Sequence, residues 1–144
     1  MRRTLTLVVA LIAISFLAGA CSPIQKVGSW KLKDMKAAVV FYSFKPGKAV
    51  EEEKVKKIAT KIANEWREHY SDVRVVILND ANFARTLAKD NDRAAYVTAE
   101  GIKLDREILT GASLNPPGGA YLHLSDKSPQ IDWAFIGKEA VRTK

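Results

Sequence analysis

His69, His123 and Cys21 carry most of the reactive chemistry open to this chain, since they are its two histidines and its one cysteine. An imidazole serves as a general base or a metal ligand, and a thiol as a nucleophile, a metal ligand or an acceptor of acyl groups. Two histidines without further cysteines make a poor metal set unless carboxylates complete it. Asp80, Asp90, Asp92, Asp105 and Glu107 offer such carboxylates near predicted element ends, where they are most often simply solvated. Asp90-Asn91-Asp92 lacks the glycine and the distal glutamate of a calcium loop. No serine stands in a Gly-x-Ser-x-Gly elbow. Phe44-Lys45-Pro46-Gly47-Lys48 falls where a strand meets a helix, but it is not a Gly-rich phosphate loop, and its Pro-Gly pair reads first as a turn. These residues predict no metal and no cofactor, and they single out no catalytic residue.

One irregular stretch is more suggestive. Gly111 to Gly119 contains Ser113, Asn115, Pro116, Pro117 and Gly118, and long structured loops carry function more often than they fill space. If the last strands pair as a hairpin, Tyr121, His123 and Trp133 are expected beside it as a small polar and aromatic surface. The competing expectation is a turn-rich connector with aromatics in the core. His123 alternates with Leu122 and Leu124 and is expected to face away from them, and His69 is expected at the exposed end of a helix.

Cys21 stands at the end of a different pattern. Arg2 and Arg3 form a basic start, Leu5 to Leu17 is an uncharged apolar run, and Ala18, Gly19 and Ala20 lead into the cysteine. A secretory signal needs these three parts in this order: a positive end, an apolar stretch for the translocon, and small residues for the peptidase cleft. The apolar stretch is short of the roughly 20 residues that span a bilayer. The run resembles the lipobox of bacterial lipoproteins, with Ala18 at the position where the commonest version has leucine. The resemblance implies that Cys21 is diacylated on sulfur, that residues 1–20 are removed as a signal peptide, and that the new amine is acylated, palmitate being the usual chain. Ser22 after the cysteine resembles lipoproteins forwarded to the outer membrane, facing the periplasm, where the host has two membranes.

Beyond Cys21 the chain has no cysteine, so no disulfide forms within one mature chain and the fold is held by its core. Cleavage leaves 124 residues, the size of one domain. Only Arg2 and Arg3 leave with the signal, so 21 of 23 basic side chains remain against all 16 acidic ones. A basic envelope protein is attracted to anionic head groups or acidic polymers. Nucleic acid is not expected as a partner, because the address argues against it and no nucleic-acid module is recognisable. Glu51 to Glu53 followed by Lys54, Lys56, Lys57 and Lys61 reads as a solvated helix face that complements the helix dipole. Lys26, Lys31, Lys33 and Lys36 follow the lipid site directly and are expected close to the bilayer.

The elements that must position these residues follow from apolar periodicity. Residues 21–36 hold scattered lysines, Pro23 and Gly28 and are expected as a tether reaching at most roughly 50 Å, with an edge strand through Trp30 and Leu32 as the alternative. Residues 37–144 are expected to form a single globular domain of mixed α/β (α+β) class. Ala37 to Phe44 is apolar on both faces and predicts a buried strand. Val55, Ile58, Ala59, Ile62, Ala63, Trp66 and Tyr70 recur at three and four and predict a helix over Val50 to Tyr70. Val73 to Leu78 supplies a second strand, completing a βαβ unit with parallel strands. Asn79 or Asp80 is expected to cap a short helix carrying Phe83, Ala84 and Leu87. Tyr121 to Ser125 and Ile131 to Ile136 predict an antiparallel C-terminal pair turning at Asp126 to Pro129. The sheet is therefore mixed, with the long helix on one face.

The functional expectation is a lipid-anchored cell-envelope protein whose domain binds another envelope protein or an anionic polymer without catalysis. An exclusion or immunity lipoprotein of a mobile element is one variant of this reading. The rival is an enzyme acting on envelope polymers, which requires paired titrating groups in an enclosed pocket.

Overall fold

A computed structural model describes residues 22–46, 50–99, 101–102 and 118–136. Cys21 and the signal-like run before it lie outside the described residues, as do Gly47, Lys48, Asp105, Glu107 and most of the loop from Gly111 onward. The described chain is of α+β class, built on a five-stranded mixed sheet. Its strands are β1 (Ile24–Leu32), β2 (Ala37–Phe44), β3 (Asp72–Leu78), β6 (Gly119–Ser125) and β7 (Ser128–Ile136), side by side in that order. β2 and β3 pair in parallel, as the βαβ pattern predicts, β6 and β7 pair antiparallel, as the hairpin pattern predicts, and β1–β2 and β3–β6 are antiparallel as well. A two-stranded ribbon, β4 (Val97–Thr98) and β5 (Gly101–Ile102), forms a separate sheet and packs Ile102 into the same core as Val76 and Leu78 of β3.

Helix α1 (Glu52–Trp66) covers one face of the sheet and α2 (Ala81–Lys89) the other. The two cores explain the doubly apolar strands. Along β3, Val73, Val75 and Ile77 join Val55, Ala59 and Ala63 of α1, whereas Val76 and Leu78 join Ala84 and Leu87 of α2. Asp80 caps α2, its carboxylate accepting the Phe83 N–H at 2.9 Å. α1 stops four residues short of the expected Tyr70. The chain turns after Trp66, with the Tyr70 N–H donated to the Trp66 carbonyl, and the two rings stack at 5.9 Å across the turn rather than along a helix face. The Arg67 guanidinium pairs with Asp126 in the β6–β7 turn and fixes this end to the sheet.

Residues 24–32 form the alternative, an edge strand, longer than Trp30 and Leu32 alone suggest, and not the expected tether. β1 pairs with β2 from Ile24 opposite Phe44 to Leu32 opposite Ala37. Trp30 is fully buried, its indole N–H donating to the Leu87 carbonyl at 3.0 Å and its ring meeting Phe41 edge-on at 4.9 Å. Even Pro23, ahead of the strand, is held by the Lys45 N–H at 2.9 Å. A bulge at Val27 concealed the pattern. It adds one residue to β1, so Ile24 faces the α1 core while Gly28, Trp30 and Leu32 face the α2 core, and no single alternation runs through the segment. The lysines between them, Lys26 and Lys31, are exposed and reach over the Trp66 ring at 4.9 and 5.8 Å, and such charges are common on edge strands. Nine residues at strand rise also carry Lys33 and Lys36 about 30 Å from Ile24, so the four lysines expected beside the lipid site do not form one cluster.

Two glycines mark close approaches. A Cβ on Gly28 would lie 2.7 Å from the Ala88 Cβ, which shows how tightly α2 presses on β1. A Cβ on Gly119 would lie 2.2 Å from the Ile77 carbonyl oxygen, a backbone atom that cannot step aside.

Candidate functional site

The same alternation that fills the two cores sets a polar group into the α2 side of the sheet. Asp72 and Arg74 are two residues apart on β3 and share a face, as do Tyr121, His123 and Ser125 on β6. Arg74 stands opposite His123, and Asp72 opposite Ser125. On the far side of β6, His123 pairs with Asp132 of β7.

Asp72 joins these strands. One carboxylate oxygen accepts from Arg74 Nη1 and the other lies 3.2 Å from His123 Nε2. Burial pushes the Asp72 carboxyl up, but the hydrogen bond from His123 and the charges of Arg74, His123 and Lys127 outweigh it and hold the group below its ordinary value. Tyr121 behaves oppositely. Burial raises its phenol, with the Asp132 and Asp72 charges adding to the rise, and the charge and hydrogen bond of Arg74 oppose it without prevailing. Arg74 is 7% exposed, and its Nε has no hydrogen-bond partner among the described residues.

A hollow of about 310 Å³ opens beside the cluster, with Met35, Ser71, Asp72, Arg74, Ser125 and Lys127 in its lining and part of the β4–β5 ribbon as one wall. His123 is not among the residues that line it. The two serine hydroxyls there are engaged with backbone: Ser71 Oγ donates to the Lys36 carbonyl at 3.3 Å and Ser125 Oγ accepts the Lys127 N–H at 3.2 Å. An imidazole held by a carboxylate is the orienting half of a catalytic relay, and its other half is a nucleophile or a bound substrate within hydrogen-bond reach. Asp72 here spends both oxygens on its own neighbours, which is the arrangement that fixes buried charges in place. Among the described residues, no group of three or more His, Cys, Asp and Glu side chains is placed to hold a metal ion.

The remaining expected residues are dispersed. His69 lies in the exposed turn after α1, its N–H donated to the Trp66 carbonyl at 3.1 Å. Asp90 accepts the Asp92 N–H in a local turn at 2.9 Å. The expected surface of Tyr121, His123 and Trp133 is divided between the two faces. Trp133 pairs with Leu122, packs with Phe135 on the α1 side, and donates its indole N–H to Glu52 at 3.2 Å, while Tyr121 and His123 point the other way. Asp72 and Arg74 were not singled out from sequence. The signal for them is Arg74 itself, a charge inside the strand Val-Arg-Val-Val-Ile-Leu, because a buried guanidinium requires a carboxylate nearby.

Among the described residues, no helix is long and apolar enough to cross a membrane. Comparison of the chain with family models, with curated proteins and with solved structures finds no match.

Proposed function

We propose that this chain is a cell-envelope lipoprotein, anchored through lipid on Cys21, whose domain is a non-enzymatic binding or assembly module. In a host with two membranes the reading places it on the outer membrane, facing the periplasm. The basic start, apolar run and small residues before Cys21 support the anchor. The observation that carries the module reading is the double engagement of Asp72 by Arg74 and His123, beside a polar hollow that His123 does not line. The partners this favours are an envelope protein or an acidic polymer, met at the rim formed by Met35, 38% exposed, and Lys127.

The rival reading, an enzyme working on envelope polymers, draws on the same His123 and Asp72 contact. Photo-crosslinking residues placed at Met35 and Lys127 in living cells separate the two. The module reading expects discrete adducts with one envelope component, retained when His123→Asn is added. Absence of adducts at both positions, together with polymer cleavage that His123→Asn abolishes, would replace it with the enzyme.

A further inference from the structure

A second recess, of about 630 Å³, runs between the start of β1 and the side of α1. Its apolar lining comes from Pro23, Ile24, Ile58 and Ile62, and its charged lining, among the described residues, from Lys26, Lys45, Lys54 and Lys61 against Glu65. These lysines come from three separate elements, so their convergence is a property of the fold and not of a basic run in the sequence. Lys26 Nζ lies 4.9 Å from the centre of the Trp66 ring, which steadies that ammonium over an aromatic face.

We infer that this groove is a docking site for the phosphate-bearing head groups of an anionic bilayer, and that it seats the domain directly on the membrane. The inference rests on lipid attachment at Cys21. Ser22 and Pro23 line the groove, and Ser22 is joined to Cys21 by one peptide, about 3.8 Å between α-carbons. Acyl chains on Cys21 therefore bring the groove to head-group depth, with no tether to hold it off. Four lysines that line one recess with Ile58 and Ile62 complement an anionic, partly apolar interface, and lysines elsewhere on the surface have no such attachment beside them.

The test uses the full lipoprotein as cells produce it, reconstituted into vesicles of phosphatidylcholine alone or mixed with phosphatidylglycerol. Acetylation of each lysine is followed by mass spectrometry, with exposed Lys33 and Lys89 as references. Modification of Lys26, Lys45, Lys54 and Lys61 should slow about five-fold or more in the anionic vesicles, the scale of one lysine at a charged surface. Raising salt from 0.1 to 1 M, which shortens screening from about 10 to about 3 Å, should reverse this. The double variant Lys54→Gln, Lys61→Gln lies on an exposed helix face and should lower the protection of Lys26 and Lys45.

Equal rates in both vesicles, on protein whose Cys21 carries lipid, would overturn the groove and leave the anchor standing. Unmodified Cys21 with groove lysines still protected would overturn the anchor instead. Equal protection by inorganic phosphate without phosphatidylglycerol would make the groove a free-anion site and overturn docking.

Discussion

His123 Nε2 lies 3.2 Å from Asp72 Oδ2, diagonally across two adjacent strands, and Arg74 holds the other oxygen of the same carboxylate. Because the fold keeps Asp72 below its ordinary value of 3.8, it stabilises the native state above that pH. That contribution disappears as pH falls through the lower folded value. Urea midpoints measured from neutral to acid pH should show the loss, and Asp72→Asn should flatten that limb. At neutral pH the same variant leaves Arg74 without its carboxylate and should cost about 1–3 kcal/mol. An acid limb unchanged by Asp72→Asn would contradict the assignment.

Trp30 distinguishes a strand from a tether. Trp30→Ala should cost about 3–5 kcal/mol, because a fully buried ring vanishes from between Phe41 and Tyr96. Trp30→Phe keeps a ring but removes the indole donor from the Leu87 carbonyl, which still accepts the Asp90 N–H at 3.1 Å, so it should cost only about 0.5–1.5 kcal/mol. Denaturant unfolding reads both, and an unchanged midpoint for Trp30→Ala is what a tether would give.

Gly28 and Ala88 should behave as a coupled pair. Gly28→Ala alone forces β1 and α2 apart and should cost about 1–3 kcal/mol. Ala88→Gly reopens the space, so the double variant should recover part of that loss, and a double-mutant cycle should give a coupling of about 0.5 kcal/mol or more. Strict additivity would show that the close approach is not what fixes Gly28.

Much of the scaffold was legible because single elements carried complete patterns. β2 and β3 read as buried strands since they meet a core on each face, α1 read as a helix from its stripe of Val55, Ala59 and Ala63, and the cap of α2 read as Asn79 or Asp80, of which Asp80 takes the role. The second half of β1 showed through Trp30 and Leu32 as an alternative to the tether, but its start was hidden by one extra residue at Val27, which changes the face of everything after it. The site was less legible than the fold. Tyr121 and His123 share a face by alternation alone, but the face Trp133 takes relative to them depends on the register of two strands, and the contact of His123 with Asp72 is visible only once β3 and β6 lie side by side. The groove lysines come from β1, the turn after β2 and α1, a combination that no local window contains.

The most direct test of the account is the mass of the N-terminal peptide of the protein isolated from its own membranes. The account predicts a chain that begins at Cys21, with a diacylglyceryl group on sulfur and an acyl group on the amine. A chain that begins at Met1, or a Cys21 that carries a free thiol, would contradict it.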